Sequence, residues 1–572
     1  MTTQNTVLPE KAAFALRLAA GVIFGLAMAW LAHTVSQNTP TVLTVQGAWR
    51  QAVYSTLLLS AFVWWAGAGT LRRWSLAFWG AIATVGVFCL AWHQAQVNFT
   101  SALYAFFAPA AWLILPLLFI AHELVSSGDR AGRLIAPYAT YFDQAWKHGV
   151  QLLLSLLFTG LFWVILLLGA ELLHFIGFDW LRDWTEKDWV FLPVTGAAMA
   201  CAVQLGDVQD KLLVNVRTLV LSVLSWLLPV IAAMGLLFVG SLCASGLEPL
   251  WKTKAATASL LAASFAFVLL INAAYQQGDG ERPVHVIMKG AARLACLLLL
   301  VFAGLATYSL WLRIDQYGLT VERVLAGAGA AIALLFGLGY VTAAVWPGRW
   351  LAPLQGVNIA VAFVKVVIFL GLLTPLADPE RLSVDDQMAR IHSGRTPERK
   401  IDWYQLRFSS GRYGMDALRA LAKSGRSALV RQRAVDMQTD EVTRPPVTPS
   451  DDMSLLKVVY PKGAALPANF NGGVLDVAPG ELRDCVRDER ENCVAAVADL
   501  NGDGVPDVAV MDSGNVTLFT FDGKVWRAVP LDQPELDKDD IKAFEDGKVT
   551  IEPHAWSDLK IGKTTLTVNG NP

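Results

Sequence analysis

The sequence predicts an α-helical polytopic membrane bundle of about 11 spans, followed by a small soluble α and then β-rich extracytoplasmic region. Three observations predict it: uneven charge, a series of apolar stretches of spanning length, and a change of periodicity after residue 444. Residues 1–376 hold 16 acidic and 21 basic side chains, whereas residues 377–572 hold 32 and 25. One charged position in ten over the first two-thirds, in a chain 54% hydrophobic, excludes a single soluble enzyme and a disordered chain. No dense basic patch exists to meet phosphates, so a nucleic-acid partner is not expected.

A spanning helix needs about 20 apolar residues, because the hydrocarbon core is about 30 Å thick and each residue rises about 1.5 Å. Eleven stretches qualify: 12–33, 52–70, 75–93, 101–121, 149–173, 190–206, 217–243, 256–275, 292–312, 322–345 and 356–376. The first, which contains Arg17, reads as an uncleaved span rather than a signal peptide, because more spans follow it. With the N-terminus inside, 13 Lys and Arg fall on that side and 7 on the other, counting Arg17 among the 13. That asymmetry orients the chain N-inside. An odd span count then puts residues 377–572 in the periplasm of a bacterium with two membranes.

Four domains follow: a transmembrane region 1–376, an amphipathic helical segment 377–443, a Pro-rich linker 444–452 and a β-rich domain 453–572. In the helical segment, Ser383 and Asp386 suggest a capped helix near 384–393, and Met415, Leu418 and Leu421 a second near 414–424. In the β-rich domain, residues 516–521 and 524–528 read as a hairpin around Asp522-Gly523. Cys485 and Cys493 are the only cysteines beyond the spans, and a disulfide between them suits an oxidising compartment.

The sharpest local motif lies in that domain. Asp499, Asn501, Asp503 and Asp507 stand at positions 1, 3, 5 and 9 of a glycine-supported loop, with the Val505 carbonyl at 7. Calcium takes six to eight oxygen ligands, and this spacing supplies them. Position 12 is Val510, not the bidentate Glu of an EF-hand, and the flanks read as strands. The loop resembles the strand-flanked calcium loops of integrin-type FG-GAP repeats, here as a single copy. Calcium is the one cofactor expected, in a structural role; the alternative is a polar turn without metal.

Ionisable and polar residues inside spans are costly and raise functional hypotheses. Lys365 lies mid-way along the last stretch, with Asn358 seven positions earlier on the same face, and Glu171 and His174 close the fifth. A Glu171–Lys365 ion pair is one reading; an interfacial Glu171 and His174 with a snorkelling Lys365 is the other. Trp180, Trp184 and Trp189 read as interfacial anchors, and Gly327 and Gly329 within Ala326–Ala331 as a point of close helix packing.

Two stretches carry a family resemblance. One is Leu173–Trp180; the other contains Ala377–Ser383, Gln387–Arg390, Ser393–Arg395, Asp402, Leu406–Phe408 and Gly411–Gly414. The chain resembles, over residues 10–425, bacterial multi-spanning proteins grouped as domain of unknown function 4153. The resemblance implies the architecture and brings no catalytic residues with it. No phosphate-binding glycine loop, nucleophile elbow or HExxH motif occurs, so no catalytic residue is assigned and an enzyme is not favoured. The expected role is transport-like or cell-envelope maintenance, with the lipid bilayer and a periplasmic protein as partners. A membrane-anchored binding or scaffold module is the alternative, and a membrane-embedded transferase the third reading.

Overall fold

A computed structural model describes residues 6–37, 45–97, 111–248, 250, 253, 255–278, 285–397, 401–438, 456–467, 469–470, 493–512, 515–521, 526–529, 531–532, 536, 538–552, 558–561 and 564–568. Two compact units emerge: residues 1–397 with 405–421, and residues 398–404 with 422–572.

The first unit is a bundle of long helices: α1 (Glu10–Gln37), α2 (Val45–Gly67), α3 (Arg73–Val97), α4 (Ala111–Ala131), α5 (Tyr138–Phe175), the short α6 (Trp180–Thr185), α7 (Asp188–Val208), α8 (Asp210–Ser245), α9 (Ala256–Tyr275), α10 (Val286–Tyr317), α11 (Val321–Val345) and α12 (Leu354–Leu372). Among the described residues, ten helices are long and apolar enough to cross a membrane; α2, which covers the second predicted stretch, is not one of them. Their outward faces carry exposed Leu, Ile, Val, Phe and Trp, as a lipid-facing bundle requires.

The largest apolar core gathers α8 to α11 around Phe267, Leu299, Phe302 and Tyr340. Ala292, Ala295, Ala303 and Ala306 keep one face of α10 small, and Ala330 and Ala333 do the same for α11. Packing of small residues substitutes for a hydrophobic driving force that lipid does not supply. The expected close approach at Gly327 and Gly329 is not observed: a Cβ there would meet neighbours only at 3.8 Å, an ordinary contact. The tight points are instead Gly337, against the α10 backbone at Leu300, and Gly339, against Val357. The Ala-Gly run is a smooth surface, but the crossing geometry puts the contact a few turns further along. A second close crossing joins α1 and α7, where Gly21 and Gly196 leave no room for a Cβ on either side.

Two helix limits differ from expectation for one reason. The fourth stretch becomes a helix running to Ala131, ten residues past 121, and α5 begins at Tyr138 rather than 149. Polar residues at His122, Glu123, Asp143, Gln144, Lys147 and His148 end the apolar pattern, while the helices continue through them.

After the bundle, α13 (Pro379–Ser393) starts five residues before the expected 384, because Asp378, not Ser383, caps it by accepting from the Glu380 and Arg381 amides. Ser383 and Asp386 bind the α10–α11 corner instead, through the Leu319 carbonyl (3.1 Å) and amide (2.7 Å). Asp378 also holds His93 of α3 at 2.8 Å. A π-helical turn (Gln405–Ser409) leads into α14 (Gly411–Ser424), and Gly414 abuts the Leu406 carbonyl so closely that no side chain fits. The segment quoted for the family resemblance is thus a clamp, built from specific contacts. The helix α15 (Ala428–Asp436) follows.

In the second unit, a five-stranded sheet runs in the order β1 (Lys457–Tyr460), β2 (Val494–Ala498), β3 (Asp507–Asp512), β4 (Asn515–Phe521), β5 (Trp526–Val529), parallel at β1–β2 and antiparallel elsewhere. The predicted hairpin is β4–β5; its turn at Asp522-Gly523 lies outside the described residues, as does the linker at 444–452. Alternate residues feed two cores. Ala495, Val497, Val508, Val510, Phe519 and Trp526 pack with Phe470 on one face, and Val494, Ala496, Ala509, Met511 and Leu518 with Phe544 on the other. Phe544 belongs to α16 (Lys538–Glu545). Burial on both faces explains why the strands read as continuous apolar runs. A smaller sheet joins β6 (Leu531–Asp532), β9 (Thr564–Val568), β8 (Asp558–Ile561) and β7 (Val549–Glu552).

Candidate functional site

The chemistry of the bundle concentrates on α5. Gln144, His148, Gln151, Ser155 and Thr159 recur at steps of four, three, four and four, so they share one face, and all are buried. The stripe spans about 22 Å at about 1.5 Å per residue. Lys147 stands beside it, next to His148 in the chain.

Two polar clusters meet this stripe. In the first, Arg17 of α1 is fully buried and pairs with Asp207 of α7. It also donates to the Gln204 side chain (2.6 Å) and the Trp65 carbonyl (2.9 Å). Asp207 accepts further from Lys147 (3.3 Å) and Gln151 (3.2 Å). Arg17, counted in the sequence as an inside-facing charge, is therefore an internal ion-pair member, which reduces the asymmetry from 13 to 12 against 7.

In the second cluster, His122 and Glu123 of α4 meet His148. Trp79 of α3 donates to His122 Nδ1 at 3.1 Å, and His148 Nδ1 lies 2.7 Å from Glu123 Oε1. The two imidazole rings are 5.4 Å apart. One ligating atom from each of His122, Glu123 and His148 lies within 4.8 Å of the others. His122 Nε2, Glu123 Oε2 and His148 Nε2 are buried with no hydrogen-bond partner, as are Gln144 Oε1 and the hydroxyls of Ser126, Ser127 and Ser155. Unpartnered buried polar atoms cost about 1–3 kcal/mol each, so such a concentration calls for a role.

Cavities open on either side of α5. One, of about 430 Å³, is a polar vestibule holding Arg130, Asp143, Gln144, Lys147 and Arg217. Asp143 binds Arg217 at 2.7 Å and Gln277 at 2.6 Å. The other, of about 390 Å³, lies among α4, α5, α9, α11 and α12 and is walled mainly by aromatic and aliphatic side chains. Its polar members include Glu123, Lys365, Asn272, Asn358 and the Tyr138 hydroxyl.

The residues singled out from sequence fall in three places. Lys365 lines the aromatic cavity, its ammonium 5.6 Å from the Phe336 ring centroid. Asn358 is the centre of a closed ring: it accepts from Tyr340 (2.6 Å) and donates to Asn272 (2.6 Å) and Tyr138 (3.2 Å), and Asn272 donates to Tyr340 (2.7 Å). Glu171 and His174 are exposed and far less coupled: Glu171 sits 4.0 Å from Arg182, and His174 pairs with Asp179. The structure therefore matches Glu171 with Arg182 rather than with Lys365. Trp180, Trp184 and Trp189 cluster there with their rings exposed, as interfacial anchors do.

In the second unit, the loop between β2 and β3 holds Asp499, Asn501, Asp503, Val505 and Asp507. Asp499 accepts from the Gly502 and Gly504 amides at 2.7 and 2.9 Å, and Asp503 from the Val505 amide at 2.7 Å. Gly502 and Gly504 adopt φ of 76° and 81°, which the turn requires and glycine supplies without strain. Asp507 is buried; Leu500 donates to its Oδ2 at 2.9 Å, and its Oδ1 has no partner. Burial raises its pKa to about 6, the charges of Asp503 and Asp499 adding to the effect. Cys493 is buried and disulfide-bonded, and Cys485 lies outside the described residues.

Sequence reasoning missed His122, Glu123 and His148. The signal was present as polar residues at helical spacing, but they adjoin charged turns and read there as ends of spans. Residues 52–423 match a family model described as Domain of unknown function (DUF4153), a range that includes His122, Glu123, His148, Asp207 and Lys365. No curated protein and no solved structure matches the chain.

Proposed function

The chain belongs to the DUF4153 family, and from that premise we propose that its bundle is a transport-like membrane protein that takes an amphiphilic anion into the aromatic cavity. One observation carries this reading: a cavity of about 390 Å³, apolar-walled and set among membrane helices, contains a lysine that faces an aromatic ring. Apolar walls suit an acyl or isoprenoid-like body, and an ammonium suits a carboxylate or phosphate head. The Asn358–Tyr340–Asn272–Tyr138 ring fixes α5, α9, α11 and α12 relative to one another at the cavity edge, so the walls are pre-formed.

The setting we propose is a bacterial inner membrane, with the N-terminus cytoplasmic and the second unit periplasmic, α2 counting as an eleventh crossing. There the Asp499–Asp507 loop binds calcium and stabilises its sheet, which suits an envelope-maintenance role. A membrane-embedded transferase is the second reading, favoured by one observation: Glu123, which lines the cavity, forms an acid–base pair with His148 behind it.

The test is binding of dansyl-undecanoate to the purified full chain. Saturable binding is expected, weakened about tenfold by Lys365→Met and abolished by Ala362→Trp, which fills the cavity. Equal binding by all three proteins would place the anion elsewhere and end this reading.

A further inference from the structure

We propose that the His148–Glu123 pair is the proton-binding site of the bundle, and that it couples proton uptake from the polar vestibule to the charge of the aromatic cavity. The coupling to a cavity ligand rests on the transport-like reading; proton binding itself does not.

Hydrogen-bond direction fixes the tautomers. Glu123 is an acceptor, so His148 carries its proton on Nδ1, and its Nε2 is left as a buried lone pair with no partner. Trp79 is a donor only, so His122 Nδ1 accepts, and the His122 proton is on Nε2, also without a partner. The pair therefore has two vacant acceptors, Glu123 Oε2 and His148 Nε2, and of these an imidazole nitrogen is by nature the stronger base. A proton added there turns neutral imidazole into imidazolium; Nδ1–H stays on Glu123 Oε1, and no other bond breaks. The pair changes from one negative charge to an ion pair of no net charge.

The same directions argue against a metal. An ion on His122 Nε2 would require the His122 proton on Nδ1, where it would face the Trp79 N–H. Two donors would then oppose each other in a buried site.

The charged and titratable neighbours are few and placed on both sides. Toward the vestibule, α5 adds Lys147, α7 adds Asp207, α1 adds Arg17, and Asp143 pairs with Arg217 of α8. Toward the cavity, α12 presents Lys365. α2 presents Phe62, at 5.3 Å from the His122 ring, and Gly67, whereas α3 presents Trp79. Gln144 and Gln151 flank His148 by one turn, so the route from the vestibule is polar. Glu123 belongs to the pair and also lines the cavity, where Lys365 stands. Before proton uptake, Glu123 offsets Lys365. Afterwards the cavity holds an excess positive charge and favours an anion. That is the charge logic of proton–anion symport.

The full chain is reconstituted in liposomes on a solid-supported membrane, and the pH is lowered by about one unit. A transient charge displacement is expected in the wild type, at least tenfold smaller in His148→Gln and Glu123→Gln, and unchanged in His392→Gln, an exposed histidine of α13. No displacement in the wild type, or equal displacement in the two cluster variants, overturns the proposal. Nitrogen-15 histidine NMR on the wild type needs no variant to fold. Among the described residues, His148, His174 and His392 each set Nδ1 against an oxygen acceptor, and His148 is the buried one. The Nδ1–H neutral ring that a water-soluble paramagnetic agent does not broaden should therefore convert to imidazolium as pH falls; absence of that shielded tautomer overturns the proposal. Stoichiometric zinc in the purified wild type, lost in His148→Gln, would make the cluster a metal site and also overturn it. If dansyl-undecanoate fails to bind but the displacement persists, the ligand reading fails and the proton site stands.

Discussion

Calcium addition tests the β2–β3 loop, and the expected size follows from Asp507. Its carboxylate is buried with one oxygen unpartnered, and its pKa stands at about 6 against an ordinary 3.8. That difference corresponds to about 3 kcal/mol, trimmed to about 2 because the neighbouring carboxylates are exposed and screened. The pKa is raised in the folded state, so this group contributes stability fully below about pH 4, and loses it as pH rises through about 6. Near neutral pH without a cation, the folded loop therefore carries an uncompensated buried anion. Calcium offsets it. At ten times the dissociation constant, mass action adds about 1.4 kcal/mol, and extracellular-type loops bind near 10⁻⁴–10⁻³ M. The assay is hydrogen exchange on peptides covering residues 494–512 in the full chain. At about pH 7.5, millimolar calcium should slow exchange roughly tenfold relative to chelator, and Asp503→Ala should remove the difference. At about pH 5 the calcium effect should shrink, because protons compete for Asp507. Identical exchange with calcium and chelator at pH 7.5 would refute the reasoning, leaving a polar turn held by its own amide bonds.

Three further outcomes are expected. Arg17→Met should lower stability by about 3 kcal/mol, because it strands Asp207 with only Lys147 and Gln151; adding Asp207→Leu should recover part of the loss in detergent melts. Gly196→Ala should cost about 1–3 kcal/mol by driving a methyl into the Gly21 backbone, whereas Gly304→Ala, with open space at its Cβ, should not destabilise. Alkaline phosphatase fused after Pro572 should be active and a cytoplasmic reporter there silent; the reverse pattern would show that α2 does not cross.

The sequence made the helices legible and their polar interfaces much less so. Apolar stretches located α7, α9 and α11 within a few residues, because lipid imposes one demand on a spanning helix, whatever it packs against. The strands flanking the Asp-Asn-Gly loop were equally legible, and the structure forms them as Val494–Ala498 and Asp507–Asp512. Lys365 was found by the cost of its charge in an apolar stretch, yet its neighbour Glu123 was not. The difference is local. Lys365 is flanked by Val and Phe, which makes its charge conspicuous, whereas Glu123 follows His122 and precedes Ser126, Ser127 and Asp129. A polar run of that kind reads as a span ending, and only the continuation of α4 to Ala131 turns it inward.

Tertiary partners decide the rest. Asn358 and Lys365 lie on one face of α12, so sequence treated them alike, but three hydrogen-bonding partners from α5, α9 and α11 make Asn358 part of the frame. Lys365 projects from the same face into an aromatic wall. His148 is distinguished in the opposite way: Glu123 occupies one ring nitrogen and leaves the other bare. A fully satisfied buried network resists change, because every alternative arrangement loses a bond. One vacant lone pair beside a carboxylate has a low-cost alternative, which is to take a proton. Within one polar interface, the Asn358 ring is thus suited to hold helices in place, and the His148–Glu123 pair to change charge between them.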